Sequence, residues 1–492
     1  MSLQFTPSAT ALNVLFVTSE IYPLVKTGGL ADVSGSLPAA LKQLGVDIRV
    51  LVPGYPQIMD GLTNKWVIAT GVFAFGEVRL LSAALPGSGV PVIVIDYPPF
   101  YDRPAGPYQD AVGGDWPDNA LRFGLLSRIG ALLASDSSPL PWRPDVVHCN
   151  DWQSGLTPAY LHNLPGKKAA SLLTIHNLAY QGVFPPETVA QIELAPESFD
   201  IDGVEYYNNM SFLKGGIYFA DHITTVSPTY AAEIQSAPLG FGMEGLLATR
   251  HAHLSGILNG IDGEHWNPAI DTHLTAQYDA KKLSGKAVNK RALQRQLGLK
   301  ENPRVPLLGV VSRITYQKGL DLLLETSQAL LGGALQIALL GSGDNGLEAQ
   351  FKALESQYPG KISATIGYSE PLAHRIEAGA DIFLMPSRYE PCGLNQMYSM
   401  RYGTPPLVFA TGGLADTVID LTPQTDRDES ATGFVFREQS TQDFLDTVHR
   451  AVAAFRDKKL WCRLQRNGMR QDFTWRHSAG DYLALYRRLI EK

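Results

Sequence analysis

The sequence predicts an α/β protein in which strands and helices alternate within two doubly wound domains. A chain of 492 residues is too long for a single hydrophobic core. Short β-branched apolar runs alternate with amphipathic segments of helix length, and this rhythm starts again after "NGIDGEHWNPAID". We therefore expect two Rossmann-like domains in tandem. The expected boundaries are 1–258 for the first domain, completed by a C-terminal helix at 476–492, and 259–475 for the second.

The first half of the chain supplies the strands of the first predicted sheet. Runs that are apolar throughout and bounded by Gly, Pro or Asn are typical of parallel strands covered on both faces. The predicted strands are "LNVLFVT", "DIRVLVP", "VPVIVIDYP", "PDVVHCN", "SLLTIHN", "HITTVS" and "LSGILN". Helices are predicted between them at "NALRFGLLSRIGALLAS" and "GLTPAYLHNL".

The second half repeats the alternation in strict βαβα order, which predicts a second parallel sheet. A polar segment containing "AKKLSGKAVNKRALQRQ" predicts a helical entry to this domain. The predicted strands are "VPLLGVVSR", "LQIALLGSG", "KISATIGYS", "DIFLMPSR" and "PPLVFATGG". The helices between them are "KGLDLLLETSQALL", "GLEAQFKALESQ", "PLAHRIEAGA" and "GLNQMYSMRYG".

The composition indicates an ordinary globular protein, with 45% hydrophobic and 18% charged residues. The formal net charge of −7 argues against a protein that binds the nucleic-acid backbone. Three widely separated cysteines match no metal-binding spacing and indicate a reducing compartment. The N-terminus lacks a charged signal-peptide region, and no apolar run approaches the length of a membrane span. We therefore expect a cytoplasmic protein that binds neither nucleic acid nor membranes.

The string "TGGLAD" occurs twice, at 27–32 and 411–416, once in each predicted domain. Ligands of open α/β sheets bind at the carboxyl ends of strands, and both copies are expected close to strand-to-helix junctions. Paired glycines at the start of a helix let a ligand approach the backbone, where N–H groups and the helix dipole favour an anion. Lys26 precedes only the first copy and adds a positive charge. The alternative is a tight turn beside a surface lysine.

A second basic pair occurs in "VVSRITYQKGLD", where Arg313 ends a predicted strand and Lys318 begins the next helix. Their spacing suits a clamp on a diphosphate, because arginine binds phosphate bidentately and lysine acts as a point charge. A cation at a helix N-terminus is unfavourable, so we expect a bound anion to compensate the charge of Lys318. The alternative is a solvated charge pair.

Glu390 follows a predicted buried strand in "MPSRYEPCGLNQ" and precedes a helix. A carboxylate repels phosphate but accepts hydrogen bonds from sugar hydroxyls, so a sugar is the expected ligand. The alternative is that Glu390 stabilises the N-terminus of its own helix. No histidine lies near Cys392 in the sequence, and we expect its backbone, rather than its thiol, to contact a ligand.

Polar side chains also follow three predicted strands of the first domain. They are Asp151 in "HCNDWQSG", His176 in "IHNLAYQG" and Asn259 in "LNGID". A single histidine after a strand is more often structural than catalytic. The recurrence of polar groups at three strand ends instead indicates a binding site there.

The sequence has no HExxH motif and no cysteine cluster with the spacing of a metal site. It also lacks a Walker-type loop and a GxSxG nucleophile motif. We therefore expect no metal and no other cofactor. The basic groups are expected to neutralise a departing phosphate in place of a metal.

Five motifs together closely resemble the bacterial glycogen synthase and plant starch synthase family. They are "KTGGLADV", "HNLAYQG", "SRITYQKGLD", "SRYEPCGLNQMYSMRYGTPPLV" and "TGGLADTV", in an order and spacing that extend from about Leu12 to Trp475. The resemblance implies a GT-B fold, with the two Rossmann-like domains facing each other across a deep cleft, and a retaining glucosyltransferase. It also implies ADP-glucose as the donor and the non-reducing end of an α-1,4-glucan, glycogen, as the acceptor.

The resemblance implies a role for each matching residue. Arg313 and Lys318 would stabilise the charge on departing ADP, Glu390 would hold the donor glucose hydroxyls, and Tyr368 would stack on adenine. The residues implied to act in catalysis are Arg313, Lys318, Glu390, His176 and Asp151. The residues implied to bind substrate are Lys26, Gly28, Gly29, Asp32, Asn259, Tyr368, Cys392, Gly393, Thr411, Gly412, Gly413 and Trp116.

Two departures from the family pattern affect the side where acceptor would enter. Members of the family commonly read "HAHDW" where this chain has "HCNDW" at 148–152, and often carry Tyr at the position of Trp116. Three alternatives to the implied activity stay open. They are a glycosyltransferase with another substrate such as UDP-glucose or sucrose, a sugar-nucleotide 2-epimerase, and a binding protein without turnover.

Overall fold

The computed structural model describes residues 12–73 and 75–491, and contacts divide the chain into two compact units. The first unit includes the chain up to Val226, Ala231–Gly260 and the chain from Trp475 onward. The second unit includes Ser227–Tyr230 and Ile261–Thr474. The prediction of an N-terminus without a targeting signal falls largely on residues 1–11, which lie outside the described ranges.

The first unit contains a nine-stranded sheet and a separate three-stranded sheet. The strands are β1 (Asn13–Val17), β2 (Asp47–Pro53), β3 (Trp66–Phe73), β4 (Gly76–Ala84), β5 (Pro91–Asp96), β6 (Val146–Asn150), β7 (Ala170–Ile175), β8 (Val183–Phe184), β9 (Glu205–Tyr206), β10 (Asn209–Ser211), β11 (His222–Thr225) and β12 (Leu254–Gly256). The large sheet has the order β12-β11-β7-β6-β1-β2-β5-β4-β3, and the small one, whose strands fall between β7 and β11 in the chain, has the order β8-β10-β9. Strands from β12 to β5 are parallel, whereas β4 and β3 extend one edge in antiparallel pairing.

Helices follow most strands of the first unit, and the last helix of the chain returns to it. They are α1 (Gly29–Gln43), α2 (Pro56–Gly61), α3 (Pro98–Tyr101), α4 (Asn119–Leu133), α5 (Thr157–Asn163), α6 (Thr188–Gln191), α7 (Phe212–Phe219), α8 (Pro228–Glu233), α9 (Glu244–Thr249) and, at the end of the chain, α19 (Trp475–Ile490). The first residues of α8 group with the second unit. Helix α19 packs against α1, and the hydroxyl of Tyr486 lies 2.7 Å from Nδ1 of His148 on β6.

The second unit is built on a six-stranded parallel sheet with the order β15-β14-β13-β16-β17-β18. Counted from its first strand this is 3-2-1-4-5-6, the order of dinucleotide-binding folds. The strands are β13 (Leu307–Val311), β14 (Gln336–Gly341), β15 (Ile362–Ile366), β16 (Ile382–Met385), β17 (Pro406–Phe409) and β18 (Phe434–Phe436). The helices are α10 (Ser284–Gln296), α11 (Leu320–Gly332), α12 (Asn345–Gln357), α13 (Glu370–Gly379), α14 (Asn395–Arg401), α15 (Gly412–Thr417), α16 (Pro423–Arg427), α17 (Thr441–Arg456) and α18 (Lys458–Arg470).

The prediction of two α/β domains with doubly wound parallel sheets is confirmed. Most strands that were predicted from continuous apolar runs are largely buried, as in β14, where every residue is buried, whereas the short edge strand β12 is only partly buried. Sequence patterns missed β3, β4, β18 and the small sheet. Strand β3 leaves Trp66 and Val72 exposed at the sheet edge, and β18 has only three residues, so neither carries the pattern of a buried strand. Within the described residues, the helices are all too short or too polar to cross a membrane.

Candidate functional site

The strand order of the second unit creates a crevice between β13 and β16. The chain leaves β13 for β14 and β15 on one side, and then places β16 on the other side of β13. Ligands of open α/β sheets bind at the carboxyl ends of strands where connections diverge in this way. Segment 312–319 follows β13 and segment 386–394 follows β16. These two segments contain Arg313, Lys318 and Glu390.

Several contacts join these two segments. The backbone N–H of Arg388 donates to the carbonyl oxygen of Gln317 (2.8 Å). The guanidinium of Arg388 donates to the carbonyl oxygen of Tyr316 at 2.7 Å and forms a bidentate ion pair with Asp321, in the first turn of α11, at 2.7 and 2.5 Å. Gly319 has a left-handed φ of 65°, and a side chain at this position would overlap the carbonyl oxygen of Pro386. The two segments therefore form one connected surface at the carboxyl end of the sheet.

An ion pair between Lys318 and Glu390 lies on this surface. Nζ of Lys318 is 2.6 Å from Oε2 of Glu390, and the hydroxyl of Ser387 donates to the same oxygen at 2.9 Å. The side chains of the pair are only 16% and 9% exposed. A partly buried ion pair contributes little net stability, because desolvation offsets the attraction. Its position in the crevice therefore favours a chemical role.

The environment of Lys318 differs from the sequence-based expectation in two ways. Glu390, a partner that the sequence did not indicate, compensates the charge of Lys318 from within the protein, and binding of an anion there stays a prediction. Lys318 also lies in a short 3-10 turn, Tyr316–Lys318, and α11 begins only at Leu320. Sequence reasoning missed Ser387, which precedes Glu390 by three residues.

Arg313 and Tyr368 lie on exposed segments of the second unit. Nη2 of Arg313 donates to Oε1 of Gln317 at 3.3 Å, close to the lysine that shares its segment. Tyr368 lies in the turn between β15 and α13 and is 72% exposed. Both side chains are accessible to a ligand, and their roles stay predictions.

The second "TGGLAD" copy supports the segment that contains Glu390. Thr411 is the N-cap residue of α15, and Gly412 has a φ of 43°. The N–H of Gly413 donates to the carbonyl oxygens of Glu390 (3.1 Å) and Pro391 (3.2 Å). The expectation that paired glycines direct their N–H groups at a ligand is therefore wrong for Gly413. This N–H instead holds the neighbouring segment.

Cys392 and Gly393 continue the same segment. Cys392 is buried, and the carbonyl oxygens of both residues accept hydrogen bonds of 3.1 Å from Nε2 of Gln396. Gly393 has a left-handed φ of 69°, which suits glycine. The backbone after Glu390 is thus held from the carbonyl side by α14.

The first unit has a corresponding crevice between β1 and β6. Strands β2 and β5 lie on one side of β1, and β6 begins the other side. Glu20 follows β1, Asp151 follows β6 directly, and both carboxylates are buried. Sequence reasoning identified Asp151 but missed Glu20. The same rule, a polar residue after a buried strand, would have found Glu20 in "FVTSE".

The backbone of Asp151 adopts a conformation that side chains rarely occupy, with φ 56° and ψ −175°. Its Oδ1 accepts hydrogen bonds from the backbone N–H of His176 (2.7 Å) and Asn177 (3.3 Å). Burial raises the pKa of Asp151 to about 7, although these two N–H donors oppose the shift and the charge of Glu20 adds to it. Asp151 is therefore poised to gain or lose a proton near neutral pH.

His176 is held beside Asp151 as a neutral ring. Burial lowers the pKa of His176 to about 3, and its Nε2–H donates to Oδ1 of Asn150 at 3.0 Å. A neutral imidazole can form a hydrogen bond with a sugar hydroxyl and adds no charge to the site. Asn259, the third polar residue predicted here, is 7% exposed, and its Oδ1 has no hydrogen-bond partner among residues 12–73 and 75–491. Such an atom is suited to accept a bond from a ligand.

The first "TGGLAD" copy differs from the second in register and in contacts. Helix α1 begins at Gly29, with Gly28 as its N-cap in an extended conformation. The N–H groups of Thr27 (2.5 Å) and Gly28 (3.2 Å) both donate to Oε2 of Glu20. The N–H of Gly28 is therefore used by a carboxylate of the protein, which corrects the expectation that it faces a ligand anion.

Two further predicted residues have partners within the first unit. Nζ of Lys26 lies 2.8 Å from Oδ1 of Asp32, so the charge expected to contact a diphosphate is paired in this state. Trp116 is half-buried, and its Nε1–H donates to the carbonyl oxygen of Gly106 at 3.1 Å. The guanidinium of Arg103 lies over the Trp116 ring at 4.7 Å.

The pKa of Asp151 leads to a prediction about stability. Because the pKa is raised on folding from about 3.9, the protonated carboxyl stabilises the first unit fully below about pH 4, and this stabilisation is lost as the pH rises to about 7. Relative to the non-titrating Asp151→Asn variant, the wild type should lose about 4 kcal/mol over that interval. Urea unfolding of both proteins between pH 4 and 8 measures the difference. The exposed carboxylate variant Asp481→Asn is the control, and a wild-type minus Asp151→Asn difference that is independent of pH would contradict the assignment.

Comparisons with known proteins agree with the motifs. A family model described as the starch synthase catalytic domain matches residues 13–249, and one described as glycosyl transferases group 1 matches residues 289–465. The glycogen synthase of Nitrosospira multiformis is 60% identical over 486 residues, which cover 98% of each chain. The glycogen synthase of Nitrosomonas europaea is 56% identical over 492 residues, with 99% of each chain covered.

Solved structures are similar over nearly the whole chain. The catalytic domain of starch synthase IV from Arabidopsis thaliana, bound to ADP and acarbose, matches with a TM-score of 0.88 and 33% identity over 98% of this chain and 100% of that one. A sucrose-phosphate synthase from Thermosynechococcus elongatus matches with a TM-score of 0.59 and 18% identity over 98% of this chain and 99% of that one, a likeness of fold alone. The two matched family models and the full-length identities establish that this chain belongs to the glycogen synthase and starch synthase family of GT-B glycosyltransferases.

Proposed function

We propose that this enzyme transfers glucose from ADP-glucose to the non-reducing 4-hydroxyl of an α-1,4-glucan, with retention of configuration, and so elongates glycogen. The observation that carries the proposal is the Lys318–Glu390 pair, with Nζ and Oε2 2.6 Å apart, in the crevice of the second sheet. A cation beside a carboxylate offers a stabilising charge for a departing diphosphate and an acceptor for sugar hydroxyls. ADP bound to the Arabidopsis starch synthase, 33% identical, supports the choice of nucleotide.

In this proposal the second unit binds the donor. Arg313 and Lys318 stabilise the charge that develops on ADP as the glucosyl bond breaks, which is the main electrostatic requirement of the step. Glu390 holds the glucose hydroxyls, with Ser387 and the backbone N–H of Gly413 fixing its segment. Tyr368 is exposed and provides an aromatic face for adenine. No metal takes part in this charge stabilisation.

The residues of the first unit are proposed to contact sugar. Neutral His176 and the unpartnered Oδ1 of Asn259 provide hydrogen-bonding groups for hydroxyls. Asp151 holds the segment that begins at His176 through two backbone N–H groups. The departing phosphate, rather than a side chain of this unit, is proposed to receive the proton of the acceptor hydroxyl, as the family resemblance implies.

We also propose that the enzyme acts in the cytoplasm, where its three cysteines stay reduced.

Labelled ADP-glucose incubated with glycogen and purified protein tests the donor and the reaction together. We expect label in the glucan, continued incorporation in the presence of EDTA, and competition by unlabelled ADP-glucose that exceeds competition by equal UDP-glucose. Preferred competition by UDP-glucose would assign another donor. Interconversion of sugar nucleotides without glucan would favour an epimerase, and binding without turnover would favour a binding protein. Failure to label glycogen would refute the proposed reaction.

A further inference from the structure

Three side chains with metal-ligating atoms meet in the second unit. Glu370 and His374 lie one turn apart on α13, and His265 lies in the segment between β12 and α10. One ligand atom from each of the three lies within 4.8 Å of the others. Two histidines and one carboxylate form a donor set that suits divalent metals of borderline softness, such as Zn²⁺.

The ring of His374 is oriented as it is in metal sites. Its Nδ1–H donates to Oδ2 of Asp271 at 2.7 Å, and the hydroxyl of Tyr402 donates to the same oxygen at 2.6 Å. The acceptor oxygen of Asp271 therefore fixes a proton on Nδ1, so Nε2 is the ring nitrogen that faces a ligand. Metal-binding histidines are supported in this way by an outer carboxylate.

The other ring nitrogen of His374, Nε2, is buried without a hydrogen-bond partner. His374 is 1% exposed, and among residues 12–73 and 75–491 no group hydrogen-bonds this nitrogen. A buried polar atom left without a partner costs free energy, so a ligand for it is to be expected. The ring cannot turn away easily, because Trp266 stacks on it with ring centroids 3.9 Å apart, and Tyr398 stacks on Trp266 at the same distance.

The other two side chains leave the cluster accessible. Nε2–H of His265 donates to Oε1 of Glu370 at 2.8 Å, and these two side chains are 33% and 32% exposed. This hydrogen bond pairs the His265 ring nitrogen with the Glu370 carboxylate, and it provides no partner for Nε2 of His374. A metal ion would replace the shared proton and bind all three atoms, while water occupies the remaining position on the exposed side.

We propose that His265, Glu370 and His374 form a site for a divalent transition metal such as Zn²⁺, supported by Asp271. The ion would tie the start of α13, and with it the turn that contains Tyr368, to the segment around His265. Its role is structural, and it does not depend on the proposed glucosyl transfer. The sequence-based expectation of no metal site rested on ligand spacing within short motifs. The partner of Glu370 lies 105 residues earlier and could not be seen in that way.

Metal binding to the full chain tests this site without an activity measurement. Chelator-treated protein is titrated with Zn²⁺ by calorimetry and with Co²⁺ by visible absorption. His265→Ala and Glu370→Gln are the test variants, because their partly exposed side chains can be replaced without opening the core. His449→Ala, an exposed histidine on α17, is the matched control. We expect one Zn²⁺ per wild-type chain, a Zn²⁺-dependent rise in Tm, and a dissociation constant at least about tenfold higher in each test variant but unchanged in the control.

Two results would overturn the site. One is the absence of stoichiometric Zn²⁺ and Co²⁺ binding by the wild type. The other is equal affinity in the wild type, His265→Ala and Glu370→Gln, which would place the ion on unrelated surface groups. Because binding and unfolding are measured instead of transfer, failure of the proposed reaction would leave this result unaffected.

Discussion

Lys318→Ala is expected to lower kcat for glucosyl transfer by about 100- to 1,000-fold, with a smaller effect on KM. The ammonium group lies at the carboxyl end of the second sheet, 2.6 Å from Glu390. In the proposed reaction its charge matters most as negative charge develops on the departing ADP, so its loss affects the transition state more than the bound donor. Initial rates at varied ADP-glucose, with glycogen in excess, measure both constants.

Removal of Lys318 also leaves the buried carboxylate of Glu390 without its cation, which by itself can destabilise the unit. The double variant Lys318→Ala/Glu390→Gln removes that isolated charge, and its Tm should return toward the wild-type value while transfer stays impaired. Lys352→Ala is the control, since Lys352 forms an exposed ion pair with Glu355 in the same unit. Wild-type kcat in Lys318→Ala would exclude Lys318 from the chemistry.

Gly412→Ala is expected to destabilise the second unit by about 2 kcal/mol or more. The φ of 43° is unfavourable for alanine, and the added Cβ would overlap the carbonyl oxygen of Glu390. Backbone cannot move aside as a flexible side chain can, so the segment holding Glu390 must shift. We expect a fall of roughly 4–8 °C in the Tm of this unit, together with loss of transfer activity. Calorimetry and the glycogen assay measure the two effects.

The repeated string supplies a matched control for this variant. Gly28 occupies the same position in the first "TGGLAD", yet its φ is −154°, and an added Cβ would meet nothing within 4 Å. Gly28→Ala should therefore change the free energy of unfolding by no more than about 0.5 kcal/mol and leave the Tm close to that of the wild type. Equal Tm changes in the two variants would show that the close approach to Glu390 does not set the requirement for glycine.

The buried parallel strands of each unit could be predicted from the sequence, because their burial leaves a clear apolar pattern. Continuous apolar runs such as that of β14 predict buried parallel strands, and the positions after those strands predict where polar groups gather. Arg313, Lys318 and Glu390 were accessible to this reasoning because each follows a strongly apolar strand. Strands β3 and β18 were not, since an exposed edge strand and a three-residue strand carry no comparable pattern.

The sequence could not predict which groups of the protein form ion pairs or hydrogen bonds with one another. The pairing of Lys318 with Glu390 joins positions 72 residues apart, and the hydrogen bonds from Thr27 and Gly28 to Glu20 depend on how one loop folds back. Helix dipoles and glycine content indicated that a negative charge belongs near these sites. They could not distinguish a ligand anion from a carboxylate of the chain itself, and the identical letters of "TGGLAD" form two different turns for the same reason.

The place of α19 in the first unit has a consequence for biosynthesis. Ribosomes release a chain from its N-terminus, so the segment Ile261–Thr474 emerges before α19 does. Until then, His148 at the centre of the first sheet lacks the Tyr486 hydroxyl that contacts it at 2.7 Å, and the face that α1 presents to α19 stays uncovered. All residues of the second unit have therefore been synthesised before α19, whereas the first unit can complete its packing only after α19 has been synthesised.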